Sequence, residues 1–208
     1  AEDNTVQDVY KEKIKAEIVE LKSGRILAEG DYGDDLQPSA FDIMEAPYMI
    51  PVDPEKDLAG IQRIPEYMVV YRVIEENRME KIILPVYGKG LWSTMYGFLA
   101  LGRDLKTIKG FTFYDHGETP GLGGEVDNPR WKELWIDKLA FDNTGKVKIR
   151  VIKGKADPDS PDAQYRIDGL SGSTLTTRGV DRMVQFWLGE TGYGPFLREL
   201  REQLQLDS

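Results

Sequence analysis

The apolar positions of this chain change character near residue 67. From Tyr67 onward they form short dense runs: Met68–Ile74 and Met79–Val86 are rich in β-branched and aromatic residues, and Glu75-Glu76-Asn77-Arg78 lies between them. That order predicts a β-hairpin. Phe98–Leu101 and Ile108–Tyr114 predict two further strands around the turn Gly102–Asp104, and Val147–Ile152 predicts another after the turn Asn143-Thr144-Gly145. A period near 3.6 appears elsewhere. Val6, Val9, Tyr10 and Ile14 predict a helix over 4–15, capped by Asn4 or Thr5. Asn128 followed by Pro129 predicts a helix start, with Trp131, Leu134, Trp135 and Leu139 on the buried side and an end near Leu139. Leu175, Val180, Met183, Val184 and Trp187 predict a helix over Leu175–Leu188. A second follows over Pro195–Leu204, after Gly192-Tyr193-Gly194.

Before residue 67 the pattern is weaker. Ile18–Ile26 leaves room for one short strand. Pro38, Pro47, Pro51, Pro54 and Pro65 then interrupt Leu36–Pro65, which predicts an irregular excursion over the surface. The whole order predicts an α+β fold, one soluble domain over 1–208 with a central antiparallel sheet and helices packed on one side.

Composition narrows the chemistry. With 27 basic against 36 acidic residues the net charge is −9, which argues against a nucleic-acid surface. There is no cysteine, so disulfides, iron–sulfur ligation and thiol catalysis are excluded, and the only histidine is His116, so multi-histidine metal sites are excluded as well. No apolar run reaches the 18 or so residues that span a bilayer.

Two segments carry candidate chemistry. Asp168–Arg178, DGLSGSTLTTR, crowds Ser171, Ser173, Thr174, Thr176 and Thr177 into the start of a predicted helix. Such a segment reads either as ordinary helix caps or as a phosphate site, where backbone N–H groups and the helix dipole meet an anion. Asp115–Glu125, DHGETPGLGGE, sets His116 and Glu118 beside Gly117, Gly121, Gly123 and Gly124. It reads as a glycine-rich turn with a solvated Glu118, as a backbone that passes close to a flat ligand, or as the acid–base pair of a small hydrolase. The last reading lacks a G-x-S-x-G nucleophile elbow.

Asp168-Gly169-Leu170-Ser171-Gly172-Ser173-Thr174-Leu175-Thr176 resembles the flavinylation motif, Asp-x-x-Ser-Gly-Ala-Thr-x-Thr, of the C subunits of Na+-translocating NADH:quinone reductases and of their Rnf relatives. The resemblance implies FMN joined through its phosphate to Thr174, with Ser171, Gly172, Ser173, Leu175 and Thr176 around the attachment. Ser173 stands where the family usually has Ala. HGETPGLGGE resembles the family's second hallmark, and implies that Thr119 makes a polar contact to the ring, that Leu122 packs on its face, that Glu118 holds the loop, and that Gly121 and Gly123 let the backbone approach. KGLWSTMYG, residues 89–97, also resembles the family and implies Trp92 beside the flavin with Ser93 and Thr94 near its polar edge. Lys153 is either a basic residue near the flavin or a surface lysine. The closing stretch Phe186–Leu197 and KGLWSTMYG resemble the sodium-pumping branch more than the Rnf branch.

The function so implied is electron transfer between redox subunits toward quinone, with no catalytic residue and no metal in this chain. Flavin carries the redox chemistry, and the protein positions it. The implied partners are the other reductase subunits and, for maturation, a flavin transferase. The family also implies a single N-terminal membrane helix ahead of residue 1, which places this domain on the outer face of the bacterial cytoplasmic membrane. A non-covalent FMN-binding module, an Rnf-type subunit and a purely structural interaction domain are the alternatives.

Overall fold

Glu76 and Asn77 both adopt positive φ, 50° and 60°, so the turn they form is of the kind that matches the twist of two antiparallel strands. It joins β4 (Tyr67–Glu75) to β5 (Arg78–Lys89), the predicted hairpin. The computed structural model describes residues 13–206. Its main sheet has five strands in the order β1-β4-β5-β6-β7, with every neighbouring pair antiparallel. β1 is Ile14–Glu20, β6 Thr94–Gly102 and β7 Ile108–Asp115. Short strands β2 (Met49–Pro51) and β3 (Arg63–Pro65) pair with each other, as do β8 (Arg150–Val151) and β9 (Arg166–Ile167). The predicted α+β architecture is the one observed.

Alternation along β4 sorts side chains to two faces. Met68 and Val70 join the large cluster under the helices, while Val69 turns to a smaller cluster with Ile18, Leu27 and Leu36. The proline-rich excursion therefore has a structural task. Leu36 comes from it, and Phe41 packs beside, so this segment covers the far face of the sheet.

The helices are α1 (Pro129–Glu133), α2 (Thr174–Leu188) and α3 (Gly194–Gln203). α2 lies along β5, and the approach is tight: a Cβ on Gly179 would stand 2.5 Å from the Lys89 carbonyl oxygen. Trp187 donates its indole N–H to the Tyr87 carbonyl at 2.6 Å, and Tyr193 donates its hydroxyl to the Pro85 carbonyl at 2.7 Å. Pro85 is tolerated in β5 because the pairing with β4 is confined to residues up to Ile83, which leaves no missing N–H on that side.

Three expectations change. The predicted helix 4–15 lies outside the described residues except for its last three, of which Lys13 is helical while Ile14 and Lys15 belong to β1. The helix from Pro129 stops at Glu133, because the chain turns at Asp137 (φ 63°) to exchange backbone hydrogen bonds around Ile108. The predicted strand Val147–Ile152 shortens to Arg150–Val151, because Lys148 and Ile149 both donate to the Ala140 carbonyl and bend the backbone.

Candidate functional site

Three loops meet at the start of α2: residues 90–93 between β5 and β6, residues 116–123 after β7, and residues 168–173. Glu118 fastens them. Its carboxylate is buried, 5% exposed, and accepts four hydrogen bonds. Leu91, Trp92 and Ser93 donate their backbone N–H groups at 3.2, 3.0 and 3.3 Å, and the Thr176 hydroxyl donates at 2.6 Å. Burial pushes the Glu118 pKa up, but the Thr176 hydroxyl and the three N–H donors outweigh it, and the group sits below the usual glutamate value. Glu118 is thus a charged knot that holds the loops, rather than a solvated residue.

Glycine is required around that knot. A Cβ on Gly90 would lie 2.5 Å from a Glu118 carboxylate oxygen, and one on Gly123 would lie 2.5 Å from the Thr176 hydroxyl. Gly121 (φ 75°) and Gly172 (φ 72°) turn their loops through left-handed conformations. Neighbouring residues complete the lashing. The Ser93 hydroxyl accepts the Gly117 N–H at 2.7 Å. His116 accepts the Glu118 N–H at Nδ1 (3.2 Å) and pairs with Asp127 through Nε2 (2.7 Å). Both ring nitrogens are committed to the loop, so His116 is not placed as the base of a hydrolytic pair. Among the described residues no three His, Cys, Asp or Glu side chains gather into a metal site.

At the helix start Ser173 occupies the capping position, yet its side chain caps no backbone N–H. It donates instead to the Thr176 hydroxyl at 2.9 Å. Among the described residues the first-turn amides of α2 have no side-chain partner, which suits an anion. The hydroxyls divide sharply. Ser173, Thr176 and Thr177 are buried, and Thr177 accepts the Leu170 N–H at 2.9 Å. Thr174 is exposed, at the first helical position.

A cavity of about 350 Å³ opens here, walled by Trp92, Thr119, Leu122, Ser173, Thr174 and Leu175, with Glu118, Gly123, Gly172 and Thr176 behind them. Trp92, Leu122 and Leu175 are 70%, 45% and 51% exposed, a display of apolar surface that suits a flat ring. Most of the predicted site residues therefore converge. Ser171 and Gly121 are exposed at the loops without lining the cavity, Ser93 turns its hydroxyl to Gly117, and Thr94 lines a neighbouring hollow with Met44 and Tyr96. Lys153 lies on the other side of Thr174, in a groove of about 430 Å³ shared with Arg150, Arg166 and Arg178. Sequence reasoning missed Leu91, which helps hold Glu118 and walls the cavity, and Arg178. The signal for Arg178 was its place four residues after Thr174, on the same helix face.

A hydroxyl exposed at a helix start, apolar faces on one side and cations on the other, fits a flavin mononucleotide, and residues 90–189 match the FMN-binding domain family. The chain as a whole belongs to the C subunits of the Na+-translocating NADH-quinone reductases. It is 45% identical over 201 residues to that subunit of Pseudomonas aeruginosa, covering 95% of this chain and 75% of the relative. With the subunit of Vibrio alginolyticus it is 41% identical over 197 residues, again covering 95% and 75%. The crystal structure of Shewanella oneidensis NqrC superposes with a TM-score of 0.83 at 33% identity, covering 97% of this chain and 90% of the other.

Proposed function

We propose that this chain carries FMN through a phosphoester on Thr174 and relays electrons between redox subunits of a sodium-pumping NADH-quinone reductase, toward quinone. The observation that carries the attachment point is the division of hydroxyls. Of the five between Ser171 and Thr177, Thr174 alone is both exposed and part of the cavity wall. Ser173, Thr176 and Thr177 are spent on internal hydrogen bonds, and Ser171 lies outside the cavity.

FMN, when bound, supplies the redox chemistry. The chain's own residues hold and orient it. Trp92 and Leu122 offer faces to the ring, Thr119 offers a polar contact, and the uncapped first turn of α2 faces the phosphate. Glu118 keeps the three loops in register and does not itself meet the reacting atoms. The high exposure of Trp92 and Leu122 leaves the ring's surroundings open to another subunit, which suits exchange of electrons across an interface. Maturation requires a flavin transferase acting on Thr174. Among the described residues no helix is long and apolar enough to cross a membrane. By likeness to the family, an N-terminal helix preceding these residues anchors the domain on the outer face of the bacterial cytoplasmic membrane.

The test is intact-protein mass after co-expression with a flavin transferase. The expected increment is one FMN less one water, mapped to Thr174 and lost in Thr174→Val with little change in stability. An adduct that persists in Thr174→Val, or maps to Ser171, overturns the assignment.

A further inference from the structure

The groove beyond Thr174 holds more positive charge than the fold uses. Arg150 grips the Asp181 carboxylate with Nε at 3.0 Å and a terminal nitrogen at 2.8 Å. Arg166 pairs with Asp162 at 3.2 Å and also donates to the Lys148 carbonyl. The other two cations of the groove, Lys153 and Arg178, make no hydrogen bond or ion pair among the described residues. Two unpaired cations facing one groove are notable in a chain of net charge −9.

Their placement is specific. Arg178 lies one helical turn after Thr174, on the side of the helix where long side chains reach back over the preceding turn, and the two residues line the same groove. Lys153 sits at the head of a tight loop turned at Gly154 (φ 81°). That loop is fastened to the segment entering the motif. The Ile152 N–H donates to the Ile167 carbonyl at 3.0 Å, the Gly169 N–H donates to the Gly154 carbonyl at 2.8 Å, and the Asp168 carboxylate accepts the Ala156 N–H at 2.9 Å. The Asp168 carbonyl is itself held by the Trp131 indole at 2.9 Å. Asp168, six residues before Thr174, is thus attached to the loop that brings Lys153 beside it.

We propose that Arg178 and Lys153 form a two-cation clasp on the phosphoester of Thr174, with Asp168 as the positioning residue for the lysine half. The inference rests on the assignment of Thr174 above and adds residues and a division of labour to it. The guanidinium offers paired N–H donors to phosphate oxygens, and the ammonium adds a compact charge from the opposite wall. The clasp stills the phosphate end of the flavin arm on the groove side of Thr174, and the ring is left to turn into the apolar cavity.

Two preparations test this. On the chain carrying FMN, 31P NMR reads the phosphoester and flavin fluorescence anisotropy reads the arm. On the chain made without a transferase, a titration with inorganic phosphate, followed by backbone 15N shifts, reads the groove alone. In Arg178→Gln and Lys153→Gln the adduct mass is expected to persist, while the 31P resonance moves, the anisotropy falls and phosphate binding weakens about tenfold. Arg178→Lys should restore part of each, and Lys155→Gln, two residues along the same loop, should change none. In the chain made without a transferase, Asp168→Ala, which removes the acceptor of the Ala156 N–H, should weaken phosphate binding as Lys153→Gln does, with the double variant no worse than either single one. An unchanged 31P resonance, anisotropy and phosphate affinity in the Arg178→Gln, Lys153→Gln double variant overturns the clasp. Additive effects of Asp168→Ala and Lys153→Gln on phosphate affinity overturn the positioning role. Absence of any adduct on wild-type Thr174 instead defeats the attachment reading, and the phosphate titration still decides the clasp.

Discussion

The two ends of α2 are built to opposite ends. At its C-terminus the helix is closed. Trp187 and Tyr193 are fully buried, their rings 5.3 Å apart, and both spend their polar atoms on carbonyls of β5. Gly189 and Gly192 take the following turn so tightly that a Cβ on Gly192 would stand 2.6 Å from the Trp187 Cα. At its N-terminus the same helix is open. Ser173 declines to cap it, Thr174 and Leu175 face outward, and the 90–93 and 116–123 loops are tied to it by hydrogen bonds to one carboxylate. Buried aromatic surface carries stability; uncapped amides and exposed hydroxyls do little for the fold and are what a ligand needs.

The contrast can be broken at several points. Trp187→Ala should cost about 3–5 kcal/mol, since it removes a fully buried ring and orphans the Tyr87 carbonyl. A loss under about 1 kcal/mol in urea unfolding would mean that the C-terminal end does not bear the fold. Glu118→Gln should cost less, about 1–3 kcal/mol, because an amide nitrogen must face one of the donors now met by carboxylate oxygen. The same residue predicts a pH dependence. A carboxylate whose pKa is lowered by folding contributes fully above the ordinary value of 4.5, and that contribution is lost as pH falls through the lowered folded value. Urea midpoints of wild type should therefore fall more steeply in that acid range than those of Glu118→Gln; parallel curves would remove Glu118 from its place at the knot. Smallest of all, Ser173→Ala should stay within about 0.5 kcal/mol and leave flavin attachment intact, because the Thr176 hydroxyl keeps its bond to Glu118. A marked change in adduct yield would show that the open end is tuned by this hydroxyl.

The same contrast explains what was legible in the sequence. β4 and β5 follow from dense runs of β-branched and aromatic residues and α2 from its period, because each has one face in a large core and burial writes such patterns into sequence. The role of the proline-rich excursion does not follow, since Leu36 and Phe41 reach the sheet from turns with no repeat. At the site, Thr174, Trp92 and Leu122 were recoverable from resemblance to a motif. The burial of Glu118 was not legible, because a carboxylate among glycines reads as solvated, and three of its donors come from 25 to 27 positions earlier and the fourth from 58 positions later. Arg178 was hidden for a similar reason: a cation on a helix surface ordinarily means only water.

Glu118 also has a consequence in time. It joins the 91–93 loop, some 26 residues before it, to Thr176, 58 residues after it. Contacts of such long range form only after the entropy of closing the intervening chain has been overcome. The setting of Thr174 is therefore expected to close after the β4–β5 hairpin, whose partners are neighbours in sequence. A modifying enzyme that recognises the completed setting would pass over nascent and misfolded chains, and the attached cofactor would then mark the molecules whose folding had run to its end.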